Sequence, residues 1–180
     1  MKTSDNHFFV YKVLISNLYI LMSKDLHLLN TPWTLYYHII DNETWDILSY
    51  VNLSTFTSLE DIINYYKYID EEICKKTMLF LMRKDIKPIW EDVENINGGC
   101  YSFKIQNRLI HSAWKNISYN LVAENFIQEN QNIINGISIS PKKYFCILKI
   151  WVKDKTFSQL KFNNEYLNDL EYIFKPNNEK

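Results

Sequence analysis

The stretch from Ile86 to Tyr101, IKPIWEDVENINGGCY, places a Trp, a Glu and an Asp side by side and then turns the chain at two glycines. A buried Trp needs no acid beside it, and a surface acid needs no Trp. Together, Trp90 and Glu91 could form a flat apolar face with a hydrogen-bond acceptor at its edge. Recognition of a nucleobase requires such a face. The stretch could therefore be a base-binding loop, whereas an ordinary core role for its Trp is the alternative that the pattern leaves open.

The five tryptophans fall into two groups by their sequence context. Trp33 and Trp114 lie within periodic apolar patterns, which predicts that both belong to the core. Trp45 follows a polar loop, Trp90 lies in a loop before acids, and Trp151 lies where a strand meets a basic segment. A Trp side chain exposed at the end of a loop lowers the stability of the fold unless it packs against a ligand or another surface. Two such rings could stack on a base from both sides, and a cationic ring such as 7-methylguanine would gain roughly 1–2 kcal/mol per indole.

Lysines are concentrated near the last apolar strand. Between Ser140 and Lys161 a single acid, Asp154, accompanies six of them: Lys142, Lys143, Lys149, Lys153, Lys155 and Lys161. This basic stretch could hold phosphate groups. A solvated, lysine-rich hairpin explains the charge equally well, so the charge pattern leaves both interpretations open.

Catalytic motifs are scarce. The sequence contains no GxSxG, P-loop, GxGxxG or HExxH motif, and its four histidines lack partners at ligand spacing. The adjacent acids Glu91 and Asp92 would point to opposite sides of an extended chain, so they rarely form a two-carboxylate site. We therefore expect no enzymatic activity, no metal site and no cofactor.

Length and composition indicate one domain with an aromatic interior. The chain has 180 residues, of which 47% are hydrophobic and 16% aromatic, and this excludes a disordered protein. The net charge of −1 gives no global indication of nucleic-acid binding. Three widely spaced cysteines without a CxxC pair predict reduced thiols in a cytosolic compartment.

The N-terminal segment is apolar but does not read as a signal peptide or a membrane span. Its run from Phe8 to Met22 is interrupted by Lys12, Ser16 and Asn17, is followed by no small-residue cleavage site, and is too short to cross a bilayer. We expect residues 1–26 to form an N-terminal arm or helix, residues 27–180 to form the functional domain, and no membrane to be involved.

The apolar patterns predict strands and helices in an α+β arrangement. Strands are expected over 32–39, 45–54, 76–84, 100–105, 135–140 and 143–152, with 100–105 as the partner of 76–84. Helices are expected over 55–69, where Thr57 and Glu60 fit a capping box, and over 108–126 and 163–174. Strand pairs alternating with single helices favour one antiparallel sheet with about three helices on one face and the other face free for function.

From about His27 to Trp151 the sequence resembles the eukaryotic translation initiation factor 4E family, the mRNA 5′-cap-binding proteins. The motifs that carry the resemblance follow in order along the chain: HLLNTPWTLYYH, then Trp45, FTSLEDIINYYKYI, KPIWEDVENINGG, WKNISYNLVAENF and NGISISPKKYFCILKIW. The most specific is KPIWEDVENINGG, which is close to the family's Pro-x-Trp-Glu-Asp…Gly-Gly pattern.

The resemblance implies a curved sheet with helices on its convex face and the mRNA cap in its concave face. Trp45 and Trp90 would sandwich the methylated guanine, and Glu91 would read its Watson–Crick edge. Trp151 would contact the N7-methyl edge. On this basis residues 27–180 are the cap-binding domain, capped mRNA is the expected partner, and a cytoplasmic monomer is expected.

The phosphate-binding part of the family pattern is altered. The family's phosphate-binding Arg falls on Lys142, whereas its two following Lys positions fall on Tyr144 and Ile147. Lys149 shares the strand face of Trp151 by the two-residue period and could supply a replacement charge. Lys143 is a second candidate, weaker because it adjoins Lys142. Beyond Trp151 we expect one helix, without the family's final strand and C-terminal loop.

The partner-binding part is altered as well. The family binds a scaffold factor through a Trp on its first helix, and that position is Ile63 here. His27, Leu59, Ile63 and Tyr66 are the corresponding candidates, and the last three form an apolar strip that is either ordinary core or a modified groove for a scaffold protein or peptide helix.

Three functions remain open. They are an initiation factor with a modified scaffold partner, a cap-binding repressor that recruits no usual scaffold, and, least favoured, a hydrolase using Glu91 or Asp92. The low glycine content and abundant Asn, Ile and Lys suit a virus or protist with a divergent translation system, and a viral protein would act in the host cytoplasm.

Overall fold

A computed structural model describes residues 26–39 and 44–178 of the chain. Within these ranges seven strands form one sheet: β1 (Leu28–Ile39), β2 (Tyr50–Ser58), β3 (Thr77–Arg83), β4 (Gly99–Gln106), β5 (Ile134–Pro141), β6 (Phe145–Val152) and β7 (Tyr172–Pro176). Three α-helices accompany them: α1 (Leu59–Tyr65), α2 (Glu71–Lys76) and α3 (Ile110–Val122). Residues 1–25, which make up all but the last residue of the predicted arm, and residues 40–43 lie outside the described residues.

The sheet is curved and antiparallel throughout, with the order β2-β1-β3-β5-β6-β4-β7. This confirms the predicted α+β class, but one predicted pairing is wrong. The strand at 100–105 does not pair with the strand at 76–84, because β3 lies between β1 and β5 while β4 lies between β6 and β7. The hairpin of β5 and β6, predicted with Lys142 and Lys143 at its turn, is confirmed.

The two faces of the sheet carry separate apolar clusters, because successive residues of a strand point to opposite faces. The convex face packs against the helices in the main core, where Trp33 and Trp114 are fully buried as predicted. The concave face carries a smaller cluster of six buried residues: Tyr36, Phe80, Met82, Ile86, Cys100 and Trp151. The helices therefore leave the concave face open for a ligand.

The beginning of α1 is shifted by one residue from the predicted capping box. Ser58, rather than Thr57, caps the helix, and it exchanges hydrogen bonds with Asp61. Glu60 is displaced from the predicted capping role because its carboxylate accepts hydrogen bonds from the backbone N–H and the imidazole of His27. The sequence pattern allowed both registers, and contact with His27 selects one of them.

The chain after β6 differs most from the prediction. Residues 163–174 do not form a helix. The carboxamide of Asn164 accepts from the backbone N–H of Tyr166 at 3.0 Å and starts a series of turns. Tyr172 and Phe174 then lie 5.0 and 4.9 Å from the ring of Tyr101, centroid to centroid, and fix β7 against β4. The predicted absence of a final strand is therefore wrong.

Two smaller elements also differ. Helix α2 was not predicted; it is short, begins at the carboxylate cap of Asp70 and carries two i,i+4 ion pairs. The predicted strand over 45–54 begins instead with a 3₁₀ turn at Ile47–Ser49. There the Asp46 carboxylate accepts hydrogen bonds from the backbone N–H groups of Leu48 and Ser49. Two further 3₁₀ turns lie at Asn107–Leu109 and Gln131–Ile133.

The described residues contain all three cysteines of the chain. Cys74, Cys100 and Cys146 are buried and unpaired, as predicted for reduced thiols. Burial raises the pKa of each thiol to about 12, so all three stay protonated at neutral pH. In the described part of the chain, no helix has the length and apolar character needed to cross a membrane.

Candidate functional site

The concave face contains a cavity of about 510 Å³. It collects residues from β2, β3, β5 and β6 and from the loops before β2 and after β3. The lining residues are Trp45, Tyr50, Met78, Phe80, Pro88, Ile89, Trp90, Glu91, Ser138, Ser140, Lys142, Ile147, Lys149 and Trp151. All four residues predicted to bind a base therefore lie around one space, although they are separated by up to 106 positions in the sequence.

Trp151 contributes to the floor of the cavity. Its ring is only 7% exposed, and its indole N–H donates to the hydroxyl of Ser138 on the neighbouring strand at 3.0 Å. A buried ring held by a hydrogen bond cannot rotate freely, so its place in the cavity wall is fixed.

Trp45 and Trp90 are different, because their indoles are 52% and 49% exposed beside the cavity. Half-exposed indoles at the rim of a cavity are free to cover a flat ligand. Trp45 is supported from behind by His38, whose ring is parallel to the indole at a centroid distance of 4.4 Å and an interplanar angle of 3°. The position of Trp45 is thus fixed by a stack within the protein.

His38 itself is fully buried in β1. Its Nε2 lies 2.8 Å from the backbone carbonyl oxygen of Thr44. A carbonyl oxygen only accepts, so Nε2 carries the proton and donates. The other ring nitrogen, Nδ1, is buried and has no hydrogen-bond partner among residues 26–39 and 44–178. The tilted ring of Tyr50 packs 4.9 Å from His38, and burial, together with the nearby negative charge of Glu91, raises the pKa of Tyr50 to about 12.

The loop that carries Trp90 and Glu91 is held by the residue that follows them. The carboxylate of Asp92 accepts hydrogen bonds from the backbone N–H groups of Lys87 at 2.9 Å and Glu94 at 3.0 Å. Its oxygens are therefore used within the loop. Glu91 lies on the cavity instead, so the two neighbouring acids have separate positions.

Asn95 is a second support for this loop, and it was not singled out from the sequence. It is fully buried, and its amide nitrogen donates to the carbonyl oxygens of Lys87 at 2.9 Å and Ile89 at 2.8 Å. The side chain of Asn135 on β5 donates to the Asn95 amide oxygen at 3.0 Å, which ties the loop to the sheet. Asn is so abundant in this chain that no single Asn could be selected by sequence alone.

Gly98 closes the loop where it rejoins the sheet. A Cβ atom at this position would lie 1.9 Å from the carbonyl oxygen of Val152, so only glycine allows this approach of the two backbones. The pair Gly98-Gly99 predicted to return the chain to the sheet therefore has a steric reason.

The three predicted phosphate-binding lysines do not share one environment. Lys142 and Lys149 line the cavity, the latter on the same strand face as Trp151 as the two-residue period predicted. Lys143 does not line the cavity, and its Nζ lies 5.1 Å from the ring centroid of Tyr144. Of the three candidate phosphate-binding lysines, only Lys143 lies outside the cavity lining.

The four predicted partner-binding residues lie on or next to α1, on the convex side of the sheet, but one of them, Tyr66, is buried. Ile63 is 46% exposed and Leu59 is half-buried one helical turn before it, while His27 is held to Glu60 at 2.7 Å. Tyr66 is not available to a partner. It is fully buried, and its hydroxyl lies 3.1 Å from that of Ser118 on α3. Tyr66 is therefore a core residue and not part of the proposed partner groove.

The chain is similar to known proteins over most of its length. A family model described as eukaryotic initiation factor 4E matches residues 28–178. Eukaryotic translation initiation factor 4E of Eremothecium gossypii is 34% identical over 142 residues, covering 73% of this chain and 66% of that protein. The Candida albicans factor of the same name is 32% identical over 152 residues, covering 78% and 71%. The chain thus spans about two thirds of the length of these relatives.

A solved structure supports the same relationship. The complex of C. elegans eIF4E-3 with the 4E-binding protein Mextli and a cap analog superimposes with a TM-score of 0.67 at 25% identity, covering 73% of this chain and 77% of that one.

Proposed function

The chain belongs to the eukaryotic initiation factor 4E family, and we propose that it binds the 7-methylguanosine cap of mRNA in its concave cavity and supports cap-dependent translation initiation. The observation that carries this proposal is the convergence of Trp45, Trp90, Glu91 and Trp151 on one cavity of about 510 Å³. The presence of a cap analog in the related C. elegans complex supports it.

In this proposal the methylated guanine enters between the half-exposed indoles of Trp45 and Trp90. Methylation at N7 makes the base cationic, and the electron-rich faces of the indoles attract a cation. Glu91 accepts hydrogen bonds from the N1–H and the exocyclic amine of guanine, and its negative charge balances the charge of the base. Trp151, buried and fixed by Ser138, presents its edge to the N7-methyl group.

The phosphates of the cap would extend along β6 from the base. Lys149 is two residues from Trp151 on the same strand face, which places its Cα atom about 7 Å along the strand. Lys142 lines the cavity further on, at the end of β5. We assign the phosphate contacts to these two lysines and give Lys143 no part in them.

The convex face would bind the scaffold. Leu59 and Ile63 are one helical turn apart, so their side chains share one face of α1. Leu28, 75% exposed, follows His27, whose carbonyl oxygen accepts from the N–H of Leu59 at 2.9 Å. These residues form an apolar strip suited to the apolar side of a peptide helix. The 4E-binding protein in the C. elegans complex makes a partner of this kind the expected one.

A repressor that holds the cap without recruiting a scaffold is the second candidate, favoured by Ile63 at the position of the family's helix Trp. A hydrolase is less well supported. The carboxylate of Asp92, one of its two proposed acids, is already bonded to two backbone N–H groups of its own loop. We therefore propose binding rather than catalysis, in the cytoplasm where mRNA is translated.

Retention on an immobilised cap analogue tests the proposed function. The full chain is expected to bind a 7-methylguanosine resin and to be released by free m7GTP but not by GTP at the same concentration. Release by both nucleotides alike, or no retention at all, would contradict the proposal.

The support of Trp45 by His38 gives a further prediction. Replacing His38→Ala removes the ring behind Trp45, and since a stacked aromatic pair contributes roughly 0.5–1.5 kcal/mol, cap-analogue affinity should fall about 2- to 12-fold. His38→Phe keeps a flat ring in that place and should bind close to wild type. Isothermal titration of both variants checks this, and equal affinities for the Ala and Phe variants would show that the stack has no part in binding.

The partner face can be tested separately from the cap site. Ile63→Asp places a charge in the proposed apolar strip and should abolish capture of a helical 4E-binding peptide while leaving retention on cap resin unchanged. Lys67→Asp, on an exposed position one turn further along the chain, is the matched control. If the wild-type chain captures no such peptide but binds the cap, the repressor candidate gains over the initiation factor.

A further inference from the structure

The concave face continues beyond the cavity toward the turn between β5 and β6. Along β6, alternate residues from Trp151 through Lys149 and Ile147 line the cavity, and the next residue on this face is Phe145. Phe145 does not line the cavity and is half-buried. At about 3.3 Å per residue, its Cα atom lies roughly 20 Å along the strand from that of Trp151.

Phe145 and its neighbour Tyr144 each carry a lysine against the ring. Lys104, exposed on the adjacent strand β4, places its Nζ 4.2 Å from the ring centroid of Phe145. Tyr144 is 75% exposed and has the Nζ of Lys143 5.1 Å from its ring centroid. An exposed tyrosine and a half-buried phenylalanine, each with a lysine near its ring, thus follow one another in the chain where β6 begins, at the turn that also carries Lys142 of the cavity lining.

The backbone of this hairpin is well held. The backbone N–H of Lys142 donates to the carbonyl oxygen of Phe145 at 2.8 Å. The amide of Asn107 donates to the carbonyl oxygens of Lys142 and Lys143 at 3.5 and 3.4 Å. A hairpin braced in this way can present its aromatic rings without first paying a large ordering cost.

The charge around the rings favours a polyanion. No Asp or Glu occurs in residues 99–123 or in residues 130–153, which contain the whole of β4, β5 and β6. Glu171 immediately precedes β7, and because Phe103 pairs with Tyr172, it lies beside Lys104 on the side of β4 away from β6. A chain of phosphates leaving the cavity past Lys149 and Lys142 would therefore meet only cations on these three strands.

We propose that Lys104, Tyr144 and Phe145 form a platform that binds the nucleotide following the triphosphate of the cap. This inference rests on the proposed function. Stacking on an aromatic ring accepts any base, because every base has a π-face, and a lysine beside the ring holds the phosphate that follows. The platform would distinguish a capped RNA from a free cap nucleotide, and it lies on the β5–β6 hairpin rather than on a C-terminal loop.

Titration of the full chain with two ligands, m7GTP and m7GpppA, tests the platform. Both ligands fill the cavity, but only m7GpppA carries a base that can reach the hairpin. Tyr144→Ala is expected to weaken m7GpppA binding about fivefold or more, at the lower end of what one base–aromatic stack contributes, and to leave m7GTP binding unchanged. Lys104→Met should weaken binding of m7GpppApG, which carries the phosphate that follows the stacked base, more than binding of m7GpppA or m7GTP.

Two controls make the outcomes distinct. Tyr144→Phe keeps the ring and should bind both ligands like wild type, and Ile173→Ala changes an exposed residue of β7 outside the cavity and the platform. Unchanged m7GpppA affinity in Tyr144→Ala, an equal loss for m7GTP and m7GpppA in that variant, or unchanged m7GpppApG affinity in Lys104→Met would overturn the platform. Failure of the wild-type chain to bind m7GTP would instead overturn the proposed function itself.

Discussion

Replacing Trp90 by alanine is expected to weaken binding of m7GTP by roughly 30- to 150-fold, which corresponds to about 2–3 kcal/mol. The indole of Trp90 is half-exposed at the cavity, so its removal leaves the core intact and takes away one wall of the base sandwich. The cationic base then loses a stacking surface and an attractive π-face, and water enters from that side. Isothermal titration measures the loss.

Val93→Ala is the matched control for this experiment. Val93 lies on the same loop and is 79% exposed but does not line the cavity, so its truncation should leave the affinity within about twofold of wild type. Thermal unfolding of both variants should match that of the wild-type chain. A Trp90→Ala variant that binds m7GTP as tightly as the control would remove Trp90 from the site.

The second large effect is expected at Glu91. Glu91→Gln keeps the shape of the side chain but replaces one acceptor oxygen by a donor and removes the charge. The N1–H and the exocyclic amine of guanine would then share one acceptor, and since hydrogen bonds to charged groups contribute about 1.5–3 kcal/mol each, m7GTP affinity should fall roughly 10- to 100-fold.

A change of ligand shows whether Glu91 reads the base edge. The 7-methylinosine nucleotide lacks the exocyclic amine, so the wild-type chain should bind it more weakly than m7GTP. In Glu91→Gln this difference should shrink, because the acceptor that sensed the amine is gone. Glu94→Gln, an exposed acid on the same loop outside the cavity, should preserve the wild-type preference. An undiminished preference in Glu91→Gln would assign the recognition of the amine to another residue.

The sequence allowed the helix and strand types near the site to be predicted because their local patterns agree with the tertiary packing. The alternation in β6 placed Lys149 and Trp151 on one face, and the apolar period of α3 placed Trp114 in the core. Residues 163–174 have a helical pattern too, but there the rings of Tyr172 and Phe174 gain more by packing on Tyr101 in the sheet. Tertiary contacts overrode local propensity in that segment.

The supports of the site were beyond the reach of sequence reasoning. The lone histidine His38 gave no pattern, and its stack on Trp45 depends on how the chain returns after β1. Asn95 was one of many asparagines, and its role follows from burial beneath a loop whose carbonyl oxygens need donors. Tyr66 was placed in the partner groove by its helical spacing. Its burial against α3 could be known only from the packing of two helices.

Discrimination between m7GTP and GTP by the wild-type chain tests the central claim most directly. The two nucleotides carry the same phosphates, so Lys142 and Lys149 contribute about equally to both. Only the methylated base is cationic, and the indoles of Trp45 and Trp90 should favour it by roughly 1–2 kcal/mol each, giving a preference on the order of 30-fold or more in a titration. Equal affinities for the two nucleotides would contradict the account.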